Sequence, residues 1–130
     1  MLGKVVKVIV DRPLGTYHPK QKDLFYPVNY GYVEGIIAAD GEEQDAYILG
    51  VNKPIKGFTG KVIAVIHRFD DVEEKLVVVP TGASLTKEEI KRQVDFQEQF
   101  FKTEIKMWNY CMHFEQTVRT YQLAYEIVLK

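Results

Sequence analysis

Glycine and proline are confined to one side of this chain: all nine glycines and all five prolines lie at or before Gly82, and none follows. These two residues supply the turns that reverse strands and the breaks that end helices. The chain up to residue 82 is therefore expected to fold as short strands joined by turns, and residues 83–130 as a mainly helical part. Strand candidates are 5–10, 46–51, 61–69 and 75–79, each rich in Val and Ile and bounded by turn residues such as Asp40-Gly41, Pro54, Gly57 and Gly60. Several short strands with few helices between them suggest an α+β domain built on a small antiparallel barrel or sandwich. Thr86 three residues before Glu89 is the capping-box pattern of a helix start. Ile90, Val94, Phe101, Ile105, Trp108 and Met112 then recur at helical spacings and form one stripe to pack on the β part. Further on, Tyr121, Leu123, Tyr125 and Ile127 alternate like a strand although nothing there would break a helix, so a second helix and a terminal strand both remain open.

With 130 residues, 46% hydrophobic and 27% charged, the chain is expected to form one domain over 1–130 with a core that needs no staples. Its 17 basic and 18 acidic residues leave a net charge of -1, which argues against a dedicated nucleic-acid or anionic-membrane binder. The longest apolar runs are four or five residues, too short to span a bilayer, and the first residues lack the apolar stretch of a secretion signal. One cysteine, Cys111, allows no intrachain disulfide, so a reducing, cytoplasmic setting is expected.

The charges are segregated. Residues 1–32 carry Lys4, Lys7, Arg12, Lys20 and Lys22 against Asp11 and Asp23, whereas residues 33–45 carry Glu34, Asp40, Glu42, Glu43 and Asp45 and no cation. Side by side, such stretches would offer cations to a polyanion and carboxylates to a hard metal, the pairing phosphoryl chemistry needs; apart, both are solvated loops. A turn at Gly41 and strand entry at Ala46 would let Asp40, Glu42 and Asp45 converge as an all-oxygen site suited to Mg²⁺ or Mn²⁺. It is not an EF-hand, which would need Gly at position 45 and Glu at position 51, where Asp45 and Val51 stand. His18, His67 and His113 are too scattered to form a motif, and neither Ser84 nor Cys111 sits in a nucleophile context. Between the charged stretches, 25–32 reads Phe-Tyr-Pro-Val-Asn-Tyr-Gly-Tyr, a stiff segment of hydroxyl and amide donors. The acidic run between two strand patterns at 69–75 reads as a hairpin tip.

Together, Phe25-Tyr26-Pro27-x-Asn29-Tyr30-Gly31-Tyr32, then Asp40-Gly41-Glu42-x-x-Asp45, then Lys75-Leu76-Val77-Val78-Val79-Pro80 resemble the soluble inorganic pyrophosphatases. In that family the tyrosine segment leads without gaps into Asp-Gly-Asp-Pro-x-Asp, and the spacing here is the same. The resemblance is strong from Phe25 to about Val51, fair from Phe58 to Pro80, weak over 85–102 and absent beyond Lys106. It implies a closed OB-like barrel with helices packed outside, and Mg²⁺-dependent hydrolysis of pyrophosphate to two phosphates by a metal-activated water. Matched by position, Asp40 and Asp45 correspond to metal ligands, Asp45 bridging, and Glu42 to the carboxylate that orients or deprotonates the water. Tyr30 corresponds to a phosphate-contacting tyrosine, Tyr26 to one near the site, and Lys75 to a phosphate-binding lysine. Asp70 or Asp71, with Glu73 or Glu74, stand where the family has two further metal-binding aspartates. Asp11 matches an acidic residue two positions before a proline, Lys20 a substrate lysine, and Lys102 a phosphate-contacting lysine. Assembly of identical copies is implied by resemblance to the bacterial members, with the aromatic tail from Trp108 to Tyr125 as contact surface or as a helix packed on its own barrel.

The sequence also departs from the family. Glu42 is one methylene longer than the usual Asp, His18 stands where an arginine is expected, with Arg12, Lys20 or Lys22 as replacements, and Phe101 replaces the tyrosine before Lys102. These changes keep two alternatives open: a hydrolase for another small phosphoanhydride or phosphoester, and a pyrophosphatase-like protein that binds metal or phosphate without turnover.

Overall fold

Side-chain alternation sets the first strand. In β1 (Val5–Arg12), Val6, Val8 and Val10 are buried while Val5 and Lys7 are exposed, the period of two expected of a strand with one face in a core. The computed structural model describes residues 1–70 and 72–108. It continues with β2 (Asn29–Ile37), β3 (Glu43–Ile48), β4 (Gly57–Arg68), β5 (Glu74–Val79), α1 (Lys87–Glu98) and β6 (Thr103–Met107).

The strands lie in the order β1-β2-β3-β5-β4, and β4 pairs back onto β1 to close a five-stranded barrel of OB-like topology. All pairings are antiparallel except β3 with β5, which run parallel. Val8, Val33, Ala46, Ile48, Val62, Leu76 and Val78 fill the interior. Outside, Tyr30, Tyr47, Ile66, Val77 and Val79 form a second apolar layer under Ile90 and Val94 of α1. This double covering explains why β5 is buried at every position from Lys75 to Val79 without alternation. Close approach of β1 and β2 requires a glycine at position 31, where a Cβ would lie 1.9 Å from the Ile9 carbonyl oxygen.

The helix starts as the capping box predicts. Thr86 Oγ1 accepts from the Glu89 amide at 3.1 Å, and Glu89 Oε1 accepts from the Thr86 amide at 2.9 Å. It is shorter than expected, however, and the mainly helical reading of 83–130 is corrected over its described part. The helix ends at Glu98, and Ile105, assigned to a helical stripe, belongs to β6; Trp108 directly follows that strand. The reason lies in β4, twelve residues long. Its first half is taken by β1, so Ala64–Arg68 would present unpaired backbone groups on that edge, and β6 satisfies them. Among the described residues no helix is long and apolar enough to cross a membrane. The expectations for Cys111, Met112, His113, the 121–127 alternation and the aromatic contact surface beyond Trp108 lie outside the described residues.

Candidate active site

Strand parity places the chemistry. Ala46, Leu76 and Val62 face the barrel interior, so Asp45 and Tyr47 on β3, Lys75 on β5 and, beyond the register shift after Val62, Arg68 on β4 face outward together with Tyr30 of β2. The final turn of α1 closes one side of this wall, and the loop from Pro13 to Val28, with His18, Gln21, Asp23 and Leu24, closes the other. Between them lies an open pocket of about 630 Å³ whose charged lining is Asp11, Arg12, Asp23, Asp45, Arg68, Glu73 and Lys75.

Lys75 is buried, and its ammonium donates to Asp45 Oδ2 at 2.5 Å and to Glu73 Oε1, 5.6 Å from the centre of the Tyr30 ring. Glu73 Oε2 accepts from Arg68 Nη1 at 3.0 Å. Arg68 is gripped from behind by Glu98, with Nε to Oε1 at 2.9 Å and Nη2 to Oε2 at 2.7 Å. From Glu98 a chain of directed hydrogen bonds runs beneath the pocket. The Tyr47 hydroxyl donates to Glu98 at 2.5 Å and accepts from Gln97 Nε2 at 2.7 Å. Gln97 Oε1 accepts from the Tyr26 hydroxyl at 2.6 Å, which in turn accepts from Arg12 Nη1 at 2.7 Å. Asn29 ties the strand start, accepting from the Leu14 amide at 2.9 Å and donating to the Lys53 carbonyl at 2.9 Å.

The tyrosines are proton donors that resist ionisation. Burial, with the Asp45 charge and hydrogen bond, holds Tyr30 well above the ordinary phenol value, and burial with Glu98 does the same for Tyr47. The folded state thus keeps protons that the unfolded chain gives up near pH 10.0. The contribution of these tyrosines to stability is therefore expected to be level below that pH and to fall as pH rises above it. Urea unfolding between pH 8 and 11 checks this, and a flat profile would contradict it. Asp11 is also raised, by burial and by Asp45, against the pull of Arg12: two carboxylates share one pocket at a cost.

The structure brings only part of the expected set together. Asp45, Tyr30, Arg12, Glu73 and Lys75 line the pocket, and Tyr26 lies beneath it, fully buried. Asp40 and Glu42 do not converge with Asp45. They sit exposed at the β2–β3 hairpin tip, where Asp40 Oδ1 accepts from the Glu42 amide at 3.0 Å in a turn closed at Gly41. Nearness in sequence did not survive the register shift between Tyr32 and Ile37. Asp70 is exposed on the β4–β5 turn, and Asp71 lies outside the described residues. Glu74, next to Glu73 and on the opposite strand face, lies 3.3 Å from His67 Nδ1. Lys20 and Lys102 are exposed and outside the pocket lining. The sequence reading did not single out Arg68, Gln97 or Glu98 as site residues. The available signal was at the helix, since Gln97 and Glu98 follow Val94 at three and four residues and so place polar groups on the buried stripe.

The fold is an OB-like barrel with cations, phenols and carboxylates lining one pocket on its outer wall. Residues 4–122 match the model of the inorganic pyrophosphatase family, and the chain belongs to that family. The inorganic pyrophosphatase of Halalkalibacterium halodurans is 28% identical over 125 residues, covering 77% of each chain. Among solved structures, the inorganic pyrophosphatase of Ehrlichia chaffeensis superposes with a TM-score of 0.63 at 15% identity, over 83% of this chain and 88% of that one. The Helicobacter pylori enzyme gives 0.58 at 17% identity, over 92% and 94%. These likenesses carry the fold.

The family is generally metal-dependent. Among the described residues no three His, Cys, Asp or Glu side chains gather on one point. Magnesium, however, keeps several waters and usually takes one or two carboxylates plus phosphate oxygens. Asp11 and Asp45, which repel each other across the pocket, together with Glu73 suit that sparse set.

Proposed function

We propose that this chain hydrolyses inorganic pyrophosphate to two phosphates with Mg²⁺, or Mn²⁺ in its place, in the pocket on the outer barrel wall. Membership of the pyrophosphatase family carries the reading, and Arg12, Tyr30, Asp45 and Lys75 lining one pocket support assigning it there. Asp45 and Asp11 would hold the metal, with Glu73 nearby. When bound, the metal would neutralise phosphate charge and lower the pKa of a water.

The protein's own residues do the rest. Lys75 and Arg12 bind phosphate oxygens, Lys75 as a point charge and Arg12 as a planar fork. Tyr30 keeps its proton and so remains a hydrogen-bond donor. Asp45, partly exposed and beside both Tyr30 and Lys75, is the carboxylate placed to orient an attacking water. Glu42, Asp40, Lys20 and Lys102, expected as site residues from resemblance, are given no part in this proposal because none lines the pocket. A cytoplasmic location and assembly of identical copies belong to the same proposal, and a species of 15.0 kDa alone in sedimentation would remove the assembly.

The deciding experiment mixes pure protein, pyrophosphate and Mg²⁺ and measures phosphate. Release well above that of the Asp45→Asn variant is expected. Release no greater than the variant's would leave the non-catalytic alternative, and a preference for another phosphoanhydride by orders of magnitude in kcat/KM would move the reading to that substrate.

A further inference from the structure

Resting on the reading of the pocket as a phosphate site, we propose that Arg68 is a positioning residue that acts through Glu73 to hold the Lys75 ammonium at the pocket wall. Arg68 ends β4 on the outward face, with its side chain only 6% exposed. Glu98, itself 4% exposed, already supplies a bidentate counter-ion to this guanidinium. Phe101 covers one face of the guanidinium at 3.7 Å. Burial of the charge is satisfied by that pairing. The third contact, Nη1 to Glu73 Oε2, does something more.

Glu73 begins the run into β5 and is the more solvent-accessible partner, at 27%. A carboxylate in that position ordinarily samples several rotamers. Here one oxygen is fixed by the rigid Arg68 fork and the other receives the Lys75 ammonium. Lys75 is a point charge on a flexible four-carbon stem and needs such an anchor to stand in one place. Its second partner, Asp45, lines the same pocket. Charges therefore alternate from the helix along the pocket wall as Glu98, Arg68, Glu73, Lys75, Asp45, and each cation is placed by the carboxylate that precedes it in this order. Helix α1, through its last residue, reaches the phosphate-binding cation without touching it.

A double-mutant cycle tests this, with inorganic phosphate titrated calorimetrically in the presence of Mg²⁺ into the wild type, Arg68→Lys, Lys75→Met and the double variant. Arg68→Lys keeps the charge and loses the fork, and is expected to weaken phosphate binding about tenfold. In the Lys75→Met background the same change is expected to cost less than about twofold, because the group it positions is gone. Additive losses in the double variant would overturn the proposal, as would unchanged binding in Arg68→Lys. If Arg68→Lys does not fold, Glu73→Gln cuts the same link while leaving the Arg68–Glu98 pair intact, and it must show the same non-additivity. A wild type that binds no phosphate overturns the proposal too. Phosphate binding without pyrophosphate hydrolysis overturns only the reaction assigned above.

Discussion

Glu98→Ala is expected to lower the unfolding free energy by about 3–5 kcal/mol, because it removes one partner of a buried ion pair and strands the other. Arg68 would keep only Glu73, on the more exposed side of the pocket, and lose both hydrogen bonds to Glu98. The Tyr47 hydroxyl, inside a fully buried residue, would lose its acceptor in the same step. Glu98→Gln is expected to cost less, since an amide oxygen can still accept one of these bonds. The contrast is Lys7 with Glu34, a pair 3.5 Å apart with both side chains more than half exposed. Removing Glu34 should change stability by less than about 1 kcal/mol. Urea unfolding of both alanine variants measures the difference, and similar small losses would show that the Arg68–Glu98 pair contributes little.

Asp45→Asn is expected to lower kcat/KM for pyrophosphate roughly 100-fold or more while leaving the fold in place. Asparagine matches aspartate in shape, and Asp45 is half-buried on a strand whose neighbours Ala46 and Tyr47 set its packing. What changes is charge: Lys75 loses one of its two anions, Tyr30 loses a charged partner, and the pocket loses a carboxylate able to hold a metal. Steady-state rates against Mg²⁺ concentration check this. A loss under about threefold at saturating metal would remove Asp45 from the reacting centre.

The two ends of the site differ in how far they could be read from sequence. The capping box at Thr86, the glycine-bounded strands and the tyrosine segment were legible because each is a local pattern with a local cause. Asp45, Tyr30 and Lys75, which the family spacing marks, line one pocket. Asp40 and Glu42 were grouped with Asp45 because a turn at Gly41 could bring them together and the family spacing marks them; the turn is there, but Asp40 and Glu42 stay at its tip, beyond a register shift in the β2–β3 pairing that no short window contains. The strand β6 was missed because the demand for it arises in the uncovered second half of β4, 35 positions away at Arg68–Thr103 and 43 at Ala64–Met107, and nothing local shows it. Arg68 and Glu98 become partners only when α1 lies across the barrel wall.

The closure of the barrel also sets an order of events in time. Val5 of β1 pairs with Lys61 of β4, 56 positions later. At a synthesis rate of about 5–20 residues per second, the first strand waits roughly 3 to 11 s after it is made before its closing partner exists. Through that interval Val6, Val8 and Val10 have no finished interior to enter. For a nascent chain, the N-terminal strand is both the earliest part of the barrel to be made and among the last to be sealed.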